Sequence, residues 1–190
     1  MSRSSQADAA RHREEVVDAT SRMLRERGAA NVSVQDAMSA AGLTHGGFYK
    51  HFRSKDELVA AAARESFEDI LGRLDRIAEE SADGRAARDR LVAEYLTADH
   101  RDSPGTGCAN TALATDAARA QGSGLGAAYT EGLKETVARL EAMDGGPDAR
   151  AHALEDLALL VGALTLARAT SDDPISDELL AAAKERLARP

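Results

Sequence analysis

The chain has 190 residues, enough for one or two domains, and its core must be aliphatic because aromatics make up 3% of residues and tryptophan is missing. The single cysteine excludes an internal disulfide and the multi-cysteine zinc patterns, and the first fifteen residues carry too many charges for a targeting segment, so a soluble, cytoplasmic protein is expected. The net charge of −8 is unevenly spread, +1 over residues 1–60 and −9 over residues 61–190, with no acid between Asp36 and Asp56 but Lys50, Arg53, Lys55, His45 and His51 there. An acidic body with a locally basic head suits a protein whose head alone meets phosphate.

Strand signals are almost absent and helical spacing recurs throughout, so the expected fold is all-α with about nine helices. Val16, Thr20, Met23, Leu24 and Arg27 form a stripe at three- and four-residue steps, predicting a first helix over roughly 8–27 that Gly28 closes. Ser33, with Asp36 three residues on, opens a second helix that turns Val34, Ala37, Met38 and Ala41 inward and stops at Gly42. Thr44 caps a short third helix ending near Phe52. Its Gly46–Gly47 pair makes it weak alone, since each interior glycine costs about 1 kcal/mol relative to alanine.

Ser54 to Glu57 form a capping box that starts a long fourth helix, with Leu58, Ala62, Phe67, Ile70, Leu74 and Ile77 on one face. Further helices are expected over about 84–99, 108–120, 124–143, 148–170 and 175–188, separated by Gly-, Pro- and Asp-rich breaks. Asp173 and Pro174 suit the cap and first turn of the last helix. The longest strongly apolar run, Leu157 to Ala167, is too short to span a bilayer. The expected division is a three-helix head, residues 1–53, and a body, residues 54–190, joined by the helix that starts at 54.

Residues 33–52 have the plan of a helix-turn-helix: a short helix, a tight turn at Gly42, and a second helix anchored by Leu43, Phe48 and Phe52. Thr44, His45, Gly46, Tyr49 and Lys50 are left for the opposite side. With Arg13, Gly28, Ala41–Gly42, Tyr49-Lys-His51-Phe52, Lys55 and Leu58 in this order and spacing, residues 11–60 resemble the tetracycline-repressor (TetR-like) family of bacterial transcription regulators. Two departures stand out: the sizes at Ala37 and Met38 are swapped relative to the family pattern, and a threonine common at the second helix start is replaced by Val32–Ser33.

The resemblance implies a ligand-responsive regulator, usually a repressor, that binds a palindromic DNA operator as a homodimer. It implies phosphate contacts from Thr44, Tyr49, His51 and Lys55, with Ser33 in place of the missing threonine, and base readout near His45, Gly46 and Lys50, with Gln35 as a further candidate. Read singly, the same residues also fit a core aromatic and ordinary surface groups. In the family the last two helices pair with their copies, implying a dimer face built here from Leu157, Leu160, Val161, Leu164, Leu179 and Ala183. A monomer's core is the alternative reading of those helices.

A small-molecule pocket is implied among the middle helices, with Tyr95, His100, Cys108, Thr111, Thr115, Tyr129 and Thr165 as lining candidates. Cys108 follows Gly107 at an expected helix start, where helix N-termini favour reactive thiols, and a Gly-Cys pair there resembles a branch that senses oxidants or electrophiles. A buried, inert thiol is the plainer reading. No phosphate-cradling glycine loop, nucleophile elbow or metal helix occurs, so neither an enzyme, a cofactor nor a metal is expected. The rival class is a helical interaction protein that keeps the head fold without binding DNA.

Overall fold

The computed structural model describes residues 3–188 and contains, among them, nine α-helices and three 3₁₀ turns. Helix α1 (Arg3–Arg27) ends because Gly28 takes φ 76°, a left-handed value that costs glycine nothing. Helix α2 (Val34–Ala40) starts with a reciprocal capping box: Ser33 Oγ accepts from Asp36 N–H, and the Asp36 carboxylate accepts from Ser33 N–H. Gly42, at φ 71°, then turns the chain into a 3₁₀ segment, His45–Lys50. The expected short helix is therefore present in its tighter form, as suits a six-residue segment holding two glycines.

Helix α3 (Lys55–Glu80) starts at Ser54, whose hydroxyl accepts from Glu57 N–H, and runs from the head into the body. The body holds α4 (Gly84–Tyr95), α5 (Ala98–Asp102), α6 (Ala109–Arg119), α7 (Gly124–Asp144), α8 (Ala149–Ala169) and α9 (Ile175–Ala188). One helix was expected over 84–99. The chain breaks it at Leu96, because the Thr97 hydroxyl accepts from His100 N–H and caps a new helix. The breaks that follow fall where the Gly-, Pro- and Asp-rich stretches lie, and Asp173 Oδ1 accepts from Ile175 N–H at the start of α9. No described helix is long and apolar enough to cross a membrane.

Two apolar clusters meet inside α3. One joins Val16, Leu24, Met38, Phe48 and Phe52 to Leu58 and Phe67 of α3, and to Leu113 and Leu125 of α6 and α7. The other gathers Leu74, Ile77, Leu91, Leu140, Leu157, Leu160 and Leu187, while Ile70 packs against both. Helix α7 crosses α3 closely because Gly132 faces the Phe67 ring, and a Cβ at that glycine would overlap it.

The residues expected at the dimer face divide by burial within the single chain. Leu157, Leu160, Leu164 and Ala183 pack in the chain's own core, and only Val161 and Leu179 are part-exposed. The apolar stripe of α8 is wider than one face, so its inner side fills the core. Leu154, Ala158, Thr165 and Leu166 make an outer side, with Ile175 of α9 also exposed.

Candidate functional site

The head presents its tip by fixing the residues behind it. Phe48 and Phe52 are 2% exposed and stack with ring centroids 5.6 Å apart. The Arg13 guanidinium lies 4.7 Å from the centre of the Phe52 ring and 3.4 Å from Glu57 Oε1, so the first helix clamps the end of the 3₁₀ segment onto α3. Leu43, expected as a third anchor, is half-buried.

On this support Gln35, Thr44, His45, Gly46, Lys50 and Lys55 are exposed, and Tyr49 is 78% exposed. His51 is half-buried, edge-on to His12 at 6.3 Å between ring centres. Ser33 is exposed, but its hydroxyl already donates to Asp36 Oδ2 at 2.6 Å and accepts from Asp36 N–H, so its proton is held within the cap. The Thr44 hydroxyl makes no capping bond.

Two of the neighbouring acids, Asp36 and Glu57, are held in caps. Asp36 is kept below the usual carboxylate range by the Ser33 hydroxyl and N–H, and Glu57 by the Arg53 N–H and then Arg13. From Ala37 to Lys55 the chain carries Lys50, Arg53 and Lys55 without an acid. Arg53 is exposed and was not among the expected contact residues, although the acid-free run that contains it was a sufficient signal.

Gly46 and Gly47 have different surroundings. A Cβ on Gly46 would meet nothing within 4 Å, so the backbone there can approach a partner closely. A Cβ on Gly47 would lie 3.6 Å from Met38 Cε, an ordinary contact, so tight packing against α2 does not explain that glycine.

Behind the head, residues from α3 to α8 line a partly open cavity of about 70 Å³. Of the expected pocket residues, Tyr95, His100 and Cys108 line it. Thr111 lies behind, its hydroxyl 2.9 Å from Tyr95 Oη. Tyr129 donates to the Asn110 carbonyl and packs its ring on Phe67. Thr115 is exposed, and Thr165 is exposed beside a separate surface groove that Arg25 and Arg168 share. The seven candidates thus do not form one site. Spacing along a helix could not separate residues facing the cavity from those on its outer flank.

Cys108 is buried at the start of α6, and its N–H donates to His100 Nε2 at 3.1 Å. His100 Nδ1 in turn donates to the Tyr95 carbonyl at 2.8 Å, so both ring nitrogens are occupied and the ring is neutral. Burial, with the Arg168 and Arg73 charges, pushes its pKa down to about 4, against the opposing bond to Tyr95. A neutral, fully bonded imidazole cannot serve as a base for the neighbouring thiol.

Asn110 and Asp69 are among the cavity residues that were not expected there. Asn110 is fully buried, and its place on the inner face of α6 three residues before Leu113 was the available signal. Asp69 receives Arg25 Nη1 at 2.9 Å, while Arg25 Nε donates to the Gly105 carbonyl at 2.7 Å. Arg25 belongs to α1 of the head, and Gly105 precedes the cavity-lining Thr106, Gly107 and Cys108. Ala29 N–H adds a bond to Asp116 of α6 at 2.7 Å. The wall of the cavity is therefore tied to the end of the head's first helix.

Residues 16–62 match the family described as bacterial regulatory proteins, tetR family. The transcriptional repressor KstR2 of Rhodococcus jostii is 33% identical over 91 residues, so the match spans about half of each chain, 46% of this one and 45% of the repressor. Among solved structures, a TetR-family transcriptional regulator from Cytophaga hutchinsonii superposes with a TM-score of 0.80 at 20% identity, covering 95% of both chains. The reduced form of NemR from Escherichia coli gives 0.77 at 21% identity, covering 93% of this chain and 95% of that one.

Proposed function

We propose that this chain, a tetR-family protein by its residues 16–62, is a ligand-responsive transcriptional regulator that represses by binding a palindromic operator as a homodimer. The observation that carries the reading is the head's tip: an acid-free run from Thr44 to Lys55, exposed along Thr44, His45, Gly46, Tyr49 and Lys50 and held from behind by Phe48, Phe52 and Arg13. Thr44, Tyr49, His51, Arg53 and Lys55 supply phosphate contacts that set register. His45, Gly46 and Lys50, with Gln35, face the base edges. Ser33 contributes through its cap.

The head is residues 1–53 and the body residues 54–190. The dimer forms on the outer side of α8 with α9, where Leu154, Val161, Leu166, Ile175 and Leu179 leave apolar surface in reach of solvent. Two heads then meet successive major grooves about 34–36 Å apart. The cavity behind the head is the inducer site. Its occupant shifts the loop before Cys108 and, through Arg25, the first helix of the head; it releases DNA only to the extent that it prefers the released arrangement.

A reversible ligand is favoured over a thiol-directed electrophile, because His100 is neutral and fully bonded beside the buried Cys108. Cys108→Ser is accordingly expected to respond to peroxide and quinones as the parent does. The deciding experiment is a genome-wide binding map followed by titration of a recovered promoter fragment at several salt concentrations. Salt-dependent binding to a palindrome is the expected result. A ligand-free dimer with no DNA affinity at low salt would leave the alternative, a helical interaction protein.

A further inference from the structure

Among the described residues, Asn110 Oδ1 is the buried side-chain polar atom without a hydrogen-bond partner. Asn110 is 0% exposed and lines the cavity. Such an acceptor is costly until something donates to it.

The orientation of the amide is fixed by its neighbours. Thr136 Oγ1 spends its proton on the Gly132 carbonyl at 2.8 Å, so towards Asn110 it can only accept. Asn110 Nδ2 supplies that bond at 3.2 Å, which leaves Oδ1 as the atom of the amide without a donor. Flipping the amide would set an oxygen against an oxygen.

The remaining walls define what can donate. Ile70, Leu74, Leu91, Leu140, Leu157 and Leu160 make most of the lining aliphatic. The charged groups at the cavity are already matched: Asp69 with Arg25 at 2.9 Å and Arg73 with Glu94 at 3.0 Å. Tyr95 and Thr111 share one hydrogen bond between their hydroxyls, and both nitrogens of His100 are bonded. An ionic ligand would lose hydration without finding a free counter-charge. One water needs roughly 10–15 Å³ of such space, so about 70 Å³ admits roughly five to seven heavy atoms.

We infer that the cavity takes a small, uncharged, largely apolar molecule that gives a single hydrogen-bond donor, a hydroxyl or an N–H, to Asn110 Oδ1. Its effect on DNA rests on the regulator reading above; its binding does not.

The test uses phenol and toluene, which have the same number of heavy atoms and differ in the donor. Affinities for the full chain and for Asn110→Leu are measured by calorimetry. The phenol-to-toluene affinity ratio is expected to fall about tenfold in the variant, a comparison in which the different hydration of the two probes cancels. An unchanged ratio, or no binding of either probe to the parent, overturns the inference. Because Asn110→Leu also loses the Thr136 bond, a phenol-soaked crystal of the parent provides a second readout, with the phenol oxygen expected within hydrogen-bonding distance of Oδ1. Titration of promoter DNA with and without phenol separates the two claims. Asn110-dependent binding by a protein without DNA affinity at low salt sinks the regulator reading and leaves the site, whereas intact DNA binding without phenol preference does the reverse.

Discussion

At the scale of single residues, the cavity wall makes the protein sensitive to acid. In the unfolded chain a histidine takes a proton near pH 6.5, but His100 in the fold resists protonation to about pH 4. Its folded pKa is depressed, so the unfolded chain binds the extra proton first as pH falls. Stability is full above pH 6.5 and drains away between 6.5 and 4. Between pH 7 and pH 5 the loss from this group is on the order of 2 kcal/mol. Urea melts of parent and His100→Gln at both pH values check this: the variant should lose less, and equal losses would refute it. In the head, Gly46→Leu should melt like the parent while losing at least tenfold in DNA affinity, because the added side chain meets no protein atom near its Cβ. Gly47→Ala should also melt like the parent, given its 3.6 Å contact with Met38.

At the scale of elements, the crossing of α3 and α7 depends on the missing side chain at Gly132. Alanine would gain about 1 kcal/mol of helix propensity, but its Cβ would enter the Phe67 ring, which is buried and flanked by Tyr129. Overpacking of this kind costs about 1–3 kcal/mol, so Gly132→Ala is expected to lower the melting temperature. Adding Phe67→Leu should recover part of the loss, and additive effects in that double-mutant cycle would disprove the contact. The capped start of α5 is a second local decision. Thr97 ends the run that periodicity alone would continue, and it swings His100 over Tyr95, where their rings meet edge to face with centres 4.6 Å apart.

At the scale of the whole molecule, the outer face of α8 and the tie through Arg25 make the larger claims. Leu154→Glu with Leu166→Glu should give a folded monomer by ultracentrifugation, since these side chains are 50% and 54% exposed in the single chain. A variant that remains dimeric would remove the proposed face. Arg25→Ala strands the Gly105 carbonyl and leaves Asp69 unpaired, for an expected loss of about 1–3 kcal/mol. It should also leave cavity binding intact while weakening the effect of a bound ligand on DNA affinity.

Much was determined by local chemistry that needs no partner element. Gly28 and Gly42 end their helices with left-handed backbones, Ser33 and Ser54 cap theirs, and the acid-free run from Ala37 to Lys55 is visible in one dimension. Those features settled an all-α chain with a helix-turn-helix at its head. Only tertiary packing decided which side of an almost wholly apolar α8 faces inward, because each side of such a helix looks alike until neighbours choose one. It likewise decided which polar residues of α6 meet the cavity, and that Asn110 is left with an unmatched oxygen, since a hydrogen bond is missing only by reference to everything packed around it.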